Sequence, residues 1–209
     1  RALNLPLIRI PGVEADDVMG TLARHAEDAG MEVVLVTGDK DLLQLVTDKT
    51  RVFDPAKGDK GVWYEPTDVK SRFGVPPEKV PDALGLIGDT ADNIPGVRGI
   101  GEKTAKQLLE QYGSLEGIFD HLSELKGKLK ERLEQDREAA FLSRRLVIIE
   151  KNVPLDFSLE NLSRKPFDRA RMADLFSQLE FRTLLDEFPP DTAAAKPTEY
   201  HVVMDAARS

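Results

Sequence analysis

LIGDTADNIPGVRGIGEKTAKQLL, residues 86–109, decides how the rest of this 209-residue chain is read. Two acids, Asp89 and Asp92, stand just past an apolar helical run. A glycine-punctuated turn, Gly96-Val97-Arg98-Gly99-Ile100-Gly101, then opens a helix that carries Lys103, Thr104 and Lys106. Glycines at 96, 99 and 101 permit positive φ and let a backbone approach closely, so successive N–H groups can point at one anion. The dipole of the helix that follows favours negative charge at the same spot. A glycine-rich turn alone is an ordinary connection, but here a carboxylate pair abuts it.

Two further acid clusters lie upstream. Glu14, Asp16 and Asp17 open a helix after Pro11-Gly12, with Val18, Leu22 and Ala26 on its buried face and Gly30 at its end. Glu14 and Asp17, three apart, share a helix face, and Asp16 can still reach a site at the helix mouth. Residues 32–37, EVVLVT, form a run of the kind buried on both faces of a parallel sheet. Asp39 and Asp41 follow it and project to one side if strand geometry persists through both. Taken singly, each cluster has a plain reading as a helix cap or the start of a turn. Together, beside a phosphate-gripping turn, they suit metal-assisted phosphodiester hydrolysis. Oxygen ligands favour Mg²⁺ or Mn²⁺, and two such ions about 4 Å apart can activate water and stabilise both oxygens of an in-line displacement.

The remaining pattern is that of an α/β protein. A helix linked to a strand, with acids at the strand's carboxyl end, is the doubly wound arrangement in which ligands bind outside the strand ends. Residues 3–10, LNLPLIRI, predict a short strand interrupted by Pro6. Residues 51–54 and 61–64 predict a hairpin flanking the sheet, with Trp63 in the core. Helices are expected before Gly74, from Pro76 to Ile87, from Lys103 to Tyr112 and, briefly, from Ser114. One long charged helix is expected over about 128–146, striped by Leu129, Leu133, Ala140 and Leu146, its charges mostly a solvated face. An extended exit over 147–157 and two short helices within 167–188 follow, and the proline-rich stretch from Pro189 reads as a linker. No solenoid repeat is visible. The domains expected are a carboxylate-bearing α/β core over 1–95, a helical DNA-binding part returning to the core over 96–188, and a linker with the start of a following domain over 189–209.

Composition narrows the chemistry. With 41% hydrophobic residues the chain can bury a core, and with no cysteine it can form neither a disulfide nor a thiolate metal site. His25, His121 and His201 show no ligand spacing. No run reaches membrane length and no signal peptide is seen, which predicts a cytoplasmic protein without a membrane partner. The start at Arg1 and the strand-like residues 200–204 predict a piece of a longer polypeptide. A formal charge of −8 argues at first against nucleic acid. Without the seven clustered acids that charge would nearly vanish, and divalent cations bound to them would reverse the local field.

PGVEADDVMGTLA (residues 11–23), VTGDKDLLQLV (36–46) and LIGDTADNIPGVRGIGEKTA (86–105) closely resemble the 5′-nuclease, or flap-endonuclease, domain at the amino end of bacterial-type DNA polymerase I. The resemblance covers nearly the whole chain. It implies a metal-nuclease sheet flanked by helices, mostly parallel, with a helix–hairpin–helix subdomain. By resemblance, Glu14 and Asp16 hold a first Mg²⁺ (or Mn²⁺), Asp39, Asp41 and Asp92 hold a second, and Asp17 and Asp89 are acids that stand behind these ligands or reach the metals through water. Gly96, Val97, Arg98, Gly99, Ile100, Gly101, Lys103, Thr104 and Lys106 would grip duplex DNA, where family members also hold K⁺ on backbone carbonyls. The implied protein is a nucleoid-associated bacterial monomer, joined to the rest of a polymerase chain and working in replication and repair on nicked or branched duplexes with a 5′ end or flap. Family members begin with a strand bearing an early aspartate, then a second aspartate and a helical arch with basic residues. That first strand and arch are missing from this pattern, which implies an isolated segment of poor activity.

Two other readings compete with a structure-specific 5′-3′ deoxyribonuclease. A duplex-binding module that does not cleave would use Arg98, Lys103 and Lys106 but leave seven acids idle, and divalent-metal dependence separates it. A ribonuclease of the related α/β kind would not need the glycine turn, and matched DNA and RNA flaps separate that.

Overall fold

The computed structural model describes residues 2–156 and 158–188. They fall into two compact units, one of residues 9–156 and a smaller one of residues 2–8 with 158–188. The larger unit runs α1 (Ala15–Asp28), β1 (Val33–Val36), a 3₁₀ turn (Asp41–Leu45), β2 (Thr50–Asp54), β3 (Val62–Tyr64), α2 (Pro66–Phe73), α3 (Val80–Ile87), α4 (Glu102–Tyr112), α5 (Leu115–Asp120), α6 (Gly127–Gln135) and α7 (Arg137–Leu146). The smaller unit holds α8 (Arg169–Gln178) and α9 (Arg182–Glu187), with Asp168 N–H donating to the Ala2 carbonyl. The expected boundary at residue 96 falls inside the larger unit, and the expected linker from Pro189 lies outside the described residues. No described helix is long and apolar enough to cross a membrane.

The architecture is α/β, a small sheet among many helices. Val33–Val36 of β1 pair in parallel with Thr50–Phe53 of β2, and β2 pairs antiparallel with β3, as the hairpin reading expected. Three expectations about this region fail. Val34 and Val36 are 43% and 61% exposed, so β1 is covered on one face only, the face that packs Leu35 into the core. Trp63 is 47% exposed because alternation along β3 turns Tyr64 inward instead; Trp63 lies against Phe53, with the Arg51 guanidinium over its ring. Residues 3–10 form no strand. Pro6 removes a backbone donor, no described strand pairs with the segment, and Leu3, Leu5 and Leu7 stay exposed.

The helical half is built around α3. Residues 80–86 are buried in succession, which is the mark of a helix surrounded on all sides. A side chain at Gly85 would stand 2.9 Å from the Ala140 carbonyl, so glycine there lets α7 come close. Asp82, buried on α3, is held by Arg144 of α7, whose guanidinium also pairs with Glu116 of α5. The single long helix expected over 128–146 is two. It breaks at Asp136, whose φ of −104° and ψ of 19° leave the helix while its carboxylate takes the Arg98 N–H and guanidinium. Leu133 and Ala140 are buried as expected, whereas Leu146 is 57% exposed.

Beyond α3 the chain turns sharply. Gly88 (φ +72°) and Gly96 (φ +59°) stand back to back, and Asp89 and Ile94 pair across the loop between them. A Cβ on Gly96 would lie 2.5 Å from the Gly88 nitrogen, and Gly96 N–H donates to the buried Ser143 hydroxyl. Gly99 also has positive φ, but Gly101 does not: at φ −105° with open space around it, it is the extended N-cap of α4. Gly96→Ala should therefore lower stability by about 2 kcal/mol or more, through strained backbone and a forced backbone shift. Gly101→Ala should stay within about 0.5 kcal/mol of the parent. Denaturant melts of the two variants check this, and equal losses would contradict the assignment.

Candidate active site

Three segments deliver the acids. Glu14 is the N-cap of α1, yet its side chain makes no capping hydrogen bond, so the plain capping reading does not hold for it. Asp16 sits in the first turn of the same helix. After β1 the chain makes a tight turn rather than continuing as a strand: Asp39 N–H donates to the Thr37 hydroxyl at 3.0 Å, and Asp41 N–H donates to Asp39 Oδ1 at 2.9 Å. Asp39 and Asp41 therefore do not alternate along a strand, as expected of them, although the two still face one cavity. That turn is anchored by buried Gln44, which donates to the Val147 carbonyl and accepts from Ile149 N–H. Asp92 comes from the loop after α3, which Asn93 bends at φ 57°.

Glu14, Asp16, Asp39, Asp41 and Asp92 line one cavity of about 340 Å³, walled on its apolar side by Ile94 and Leu146. Asp17 and Asp89 do not line it. Asp17 Oδ1 accepts the Glu150 N–H at 2.8 Å, and Asp89 is paired with the Lys40 ammonium. Burial raises the Asp41 carboxyl to about 7, with Asp39 adding repulsion, and one of its oxygens is buried with no hydrogen-bond partner. Asp16 is also raised, first by burial and then by Asp39 and Glu14. The Lys40 hydrogen bond holds Asp89 below the usual carboxylate range. An all-carboxylate donor set carrying an orphaned buried oxygen fits a hard divalent cation. As they stand, no three acidic or histidine side chains among the described residues converge closely enough to form a ready coordination sphere.

The glycine turn is less open than its sequence predicts. The N–H groups of Gly96, Val97, Arg98 and Ile100 are taken by Ser143, Leu86, Asp136 and Val97 respectively. Val97 and Ile100 are core side chains. Arg98 is held by Asp136, and Lys106 donates to the Ser71 carbonyl. Exposed Lys103, the first turn of α4 and the N–H groups of Gly99 and Gly101 remain to face an anion. Sequence reading missed Lys40, Asp136, Ser143 and Arg132, which donates to the Gly99 carbonyl at 3.3 Å. Only Lys40 left a signal, a lone cation between two acids.

The fold is that of a known family. Residues 1–74 match the 5′-3′ exonuclease N-terminal resolvase-like domain, and residues 75–170 match the 5′-3′ exonuclease C-terminal SAM fold. The chain belongs to the 5′-3′ exonuclease family. It is 45% identical over 185 residues to DNA polymerase I of Bacillus subtilis, covering 88% of this chain and 21% of that protein. The chain thus spans about a fifth of the length of the curated relatives it matches. The zinc-bound 5′-exonuclease of phage T5 superposes with a TM-score of 0.60 at 30% identity, over 69% of this chain and 53% of that one. The T5 D15 flap endonuclease in a pseudo-enzyme-product complex with DNA and metal ions gives 0.60 at 25% identity, over 87% and 59%.

The raised Asp41 carboxyl sets a pH dependence. Its folded value, about 7, lies above the ordinary 3.8, so the folded protein holds this proton more tightly than the unfolded chain does. The stability it contributes is present below about pH 4 and is lost as pH rises through about 7. The metal-free melting temperature should accordingly fall between about pH 4 and pH 7, and Asp41→Asn should flatten that fall. Parallel melting curves for the two proteins would contradict the buried, repelled state of Asp41.

Proposed function

We propose that this segment hydrolyses DNA phosphodiesters at 5′ ends and flaps of nicked or branched duplexes, as the metal-dependent 5′-3′ exonuclease part of a DNA polymerase I in replication and repair. The observation that carries the reading is that five carboxylates, from three segments far apart in sequence, line one cavity. Glu14 and Asp16 would hold one Mg²⁺ or Mn²⁺, and Asp39, Asp41 and Asp92 the other. Bound there, the ions would lower the pKa of an attacking water and offset charge on the phosphate oxygens. The chain's own part is positioning. Asp39 Oδ1 fixes Asp41 through its N–H, Gln44 fixes the turn that carries them, and the paired loop after α3 sets Asp92.

DNA is held separately. The first turn of α4 offers N–H groups that no intrahelical carbonyl takes, and Lys103 stands exposed beside them. These contacts reach phosphate and carry no sequence preference. A potassium ion at the turn has weaker support, since Arg132 already serves the Gly99 carbonyl. Residues 1–95 and 96–188 divide by role in this reading, into acids and grip.

One experiment with two variants tests it, in the polypeptide that carries this segment. Asp39→Asn should lower Mg²⁺-dependent cleavage of a 5′-flap duplex by about a hundredfold or more with binding kept. Lys103→Ala should weaken binding alike across sequences and lower the slope of log affinity against log salt by about 1. Binding without any metal-dependent cleavage in the parent would favour the non-catalytic module instead.

A further inference from the structure

Lys40 lies between Asp39 and Asp41, yet its ammonium donates to Asp89, 49 residues away in the loop after α3. The two side chains are 24% and 14% exposed, so the pair is largely shielded from water. The other Asp89 oxygen accepts the Ala91 N–H at 2.8 Å, which leaves that carboxylate engaged within the protein at both ends. Among the described residues this is the one ion pair made by any of the seven clustered acids.

We propose that Lys40 is a positioning residue: tethered by Asp89, it ties the loop bearing Asp39 and Asp41 to the loop bearing Asp92 and acts as the pocket's standing counter-charge when no divalent cation is bound. The inference rests on the metal-nuclease reading above. Five carboxylates around one cavity repel one another, and a fixed positive charge at its margin offsets part of that cost. A partly buried pair is screened less than a surface pair, so the effect survives physiological salt. The same charge opposes an arriving dication. Lys40 therefore stabilises the empty pocket and loosens its hold on metal, and a merely structural lysine would do only the first.

The test is Mn²⁺ titration, followed by the electron-spin-resonance signal of the free ion, alongside metal-free melting of the whole protein. Lys40→Met should melt lower without metal and bind Mn²⁺ about threefold to tenfold more tightly. Lys40→Arg should return both towards the parent. Unchanged or weakened Mn²⁺ affinity in Lys40→Met overturns the inference. If Lys40→Met does not fold, Asp89→Asn reads the tether from its other end, and Mn²⁺ affinity should fall about threefold or more as the lysine charge persists without its partner. No change there overturns the inference as well. A parent that binds no Mn²⁺ overturns the metal reading together with this one, whereas a parent that binds Mn²⁺ and cleaves, with Lys40→Met indistinguishable from it, overturns this one alone.

Discussion

Two strands of backbone pass each other at Gly88 and Gly96 with no space for a side chain on either. A Cβ on Gly88 would lie 2.6 Å from the Ile94 carbonyl oxygen and 2.8 Å from the Gly96 nitrogen. That contact lets the chain leave α3, present Asp92 to the cavity, and return within a few residues to start α4. The loop that bears Asp92 and the chain leading to α4 are thereby joined at a crossing fixed by backbone alone, which no rotamer change can relax. Ser143 secures the crossing from α7 through the Gly96 N–H, and the burial of α3 against α7 secures Ser143.

The second constraint is electrostatic. Gathering five carboxylates in one cavity costs stability that the folded chain must recover elsewhere, and the raised Asp16 and Asp41 carboxyls register the cost. The recovery comes from the buried helical half, where Arg144 joins α3, α5 and α7 through Asp82 and Glu116.

Much of this is legible in the amino-acid sequence. Acid clusters following a helix start, a strand and an apolar helix mark Glu14, Asp16, Asp39, Asp41 and Asp92, because those positions are where an α/β fold gathers ligands. Partnership is not legible. Arg98 and Lys106 read as free phosphate contacts, but their charges are taken by Asp136 and the Ser71 carbonyl, which lie 38 and 35 residues away in sequence. The break at Asp136 is hidden for the same reason: a helical pattern cannot show that one of its acids is wanted by a distant backbone N–H. Val34, Val36 and Trp63 are misplaced because strand composition reports a pleated surface without saying which face is covered.

The proposed chemistry requires that the five carboxylates lining the cavity hold divalent cations. The most direct measurement is anomalous X-ray scattering from crystals of the protein soaked in Mn²⁺. Peaks at about 2.0–2.4 Å from carboxylate oxygens of Asp39, Asp41 and Asp92 are predicted, with a second near Glu14 and Asp16. Manganese bound only elsewhere, with the five side chains still apart, would contradict it.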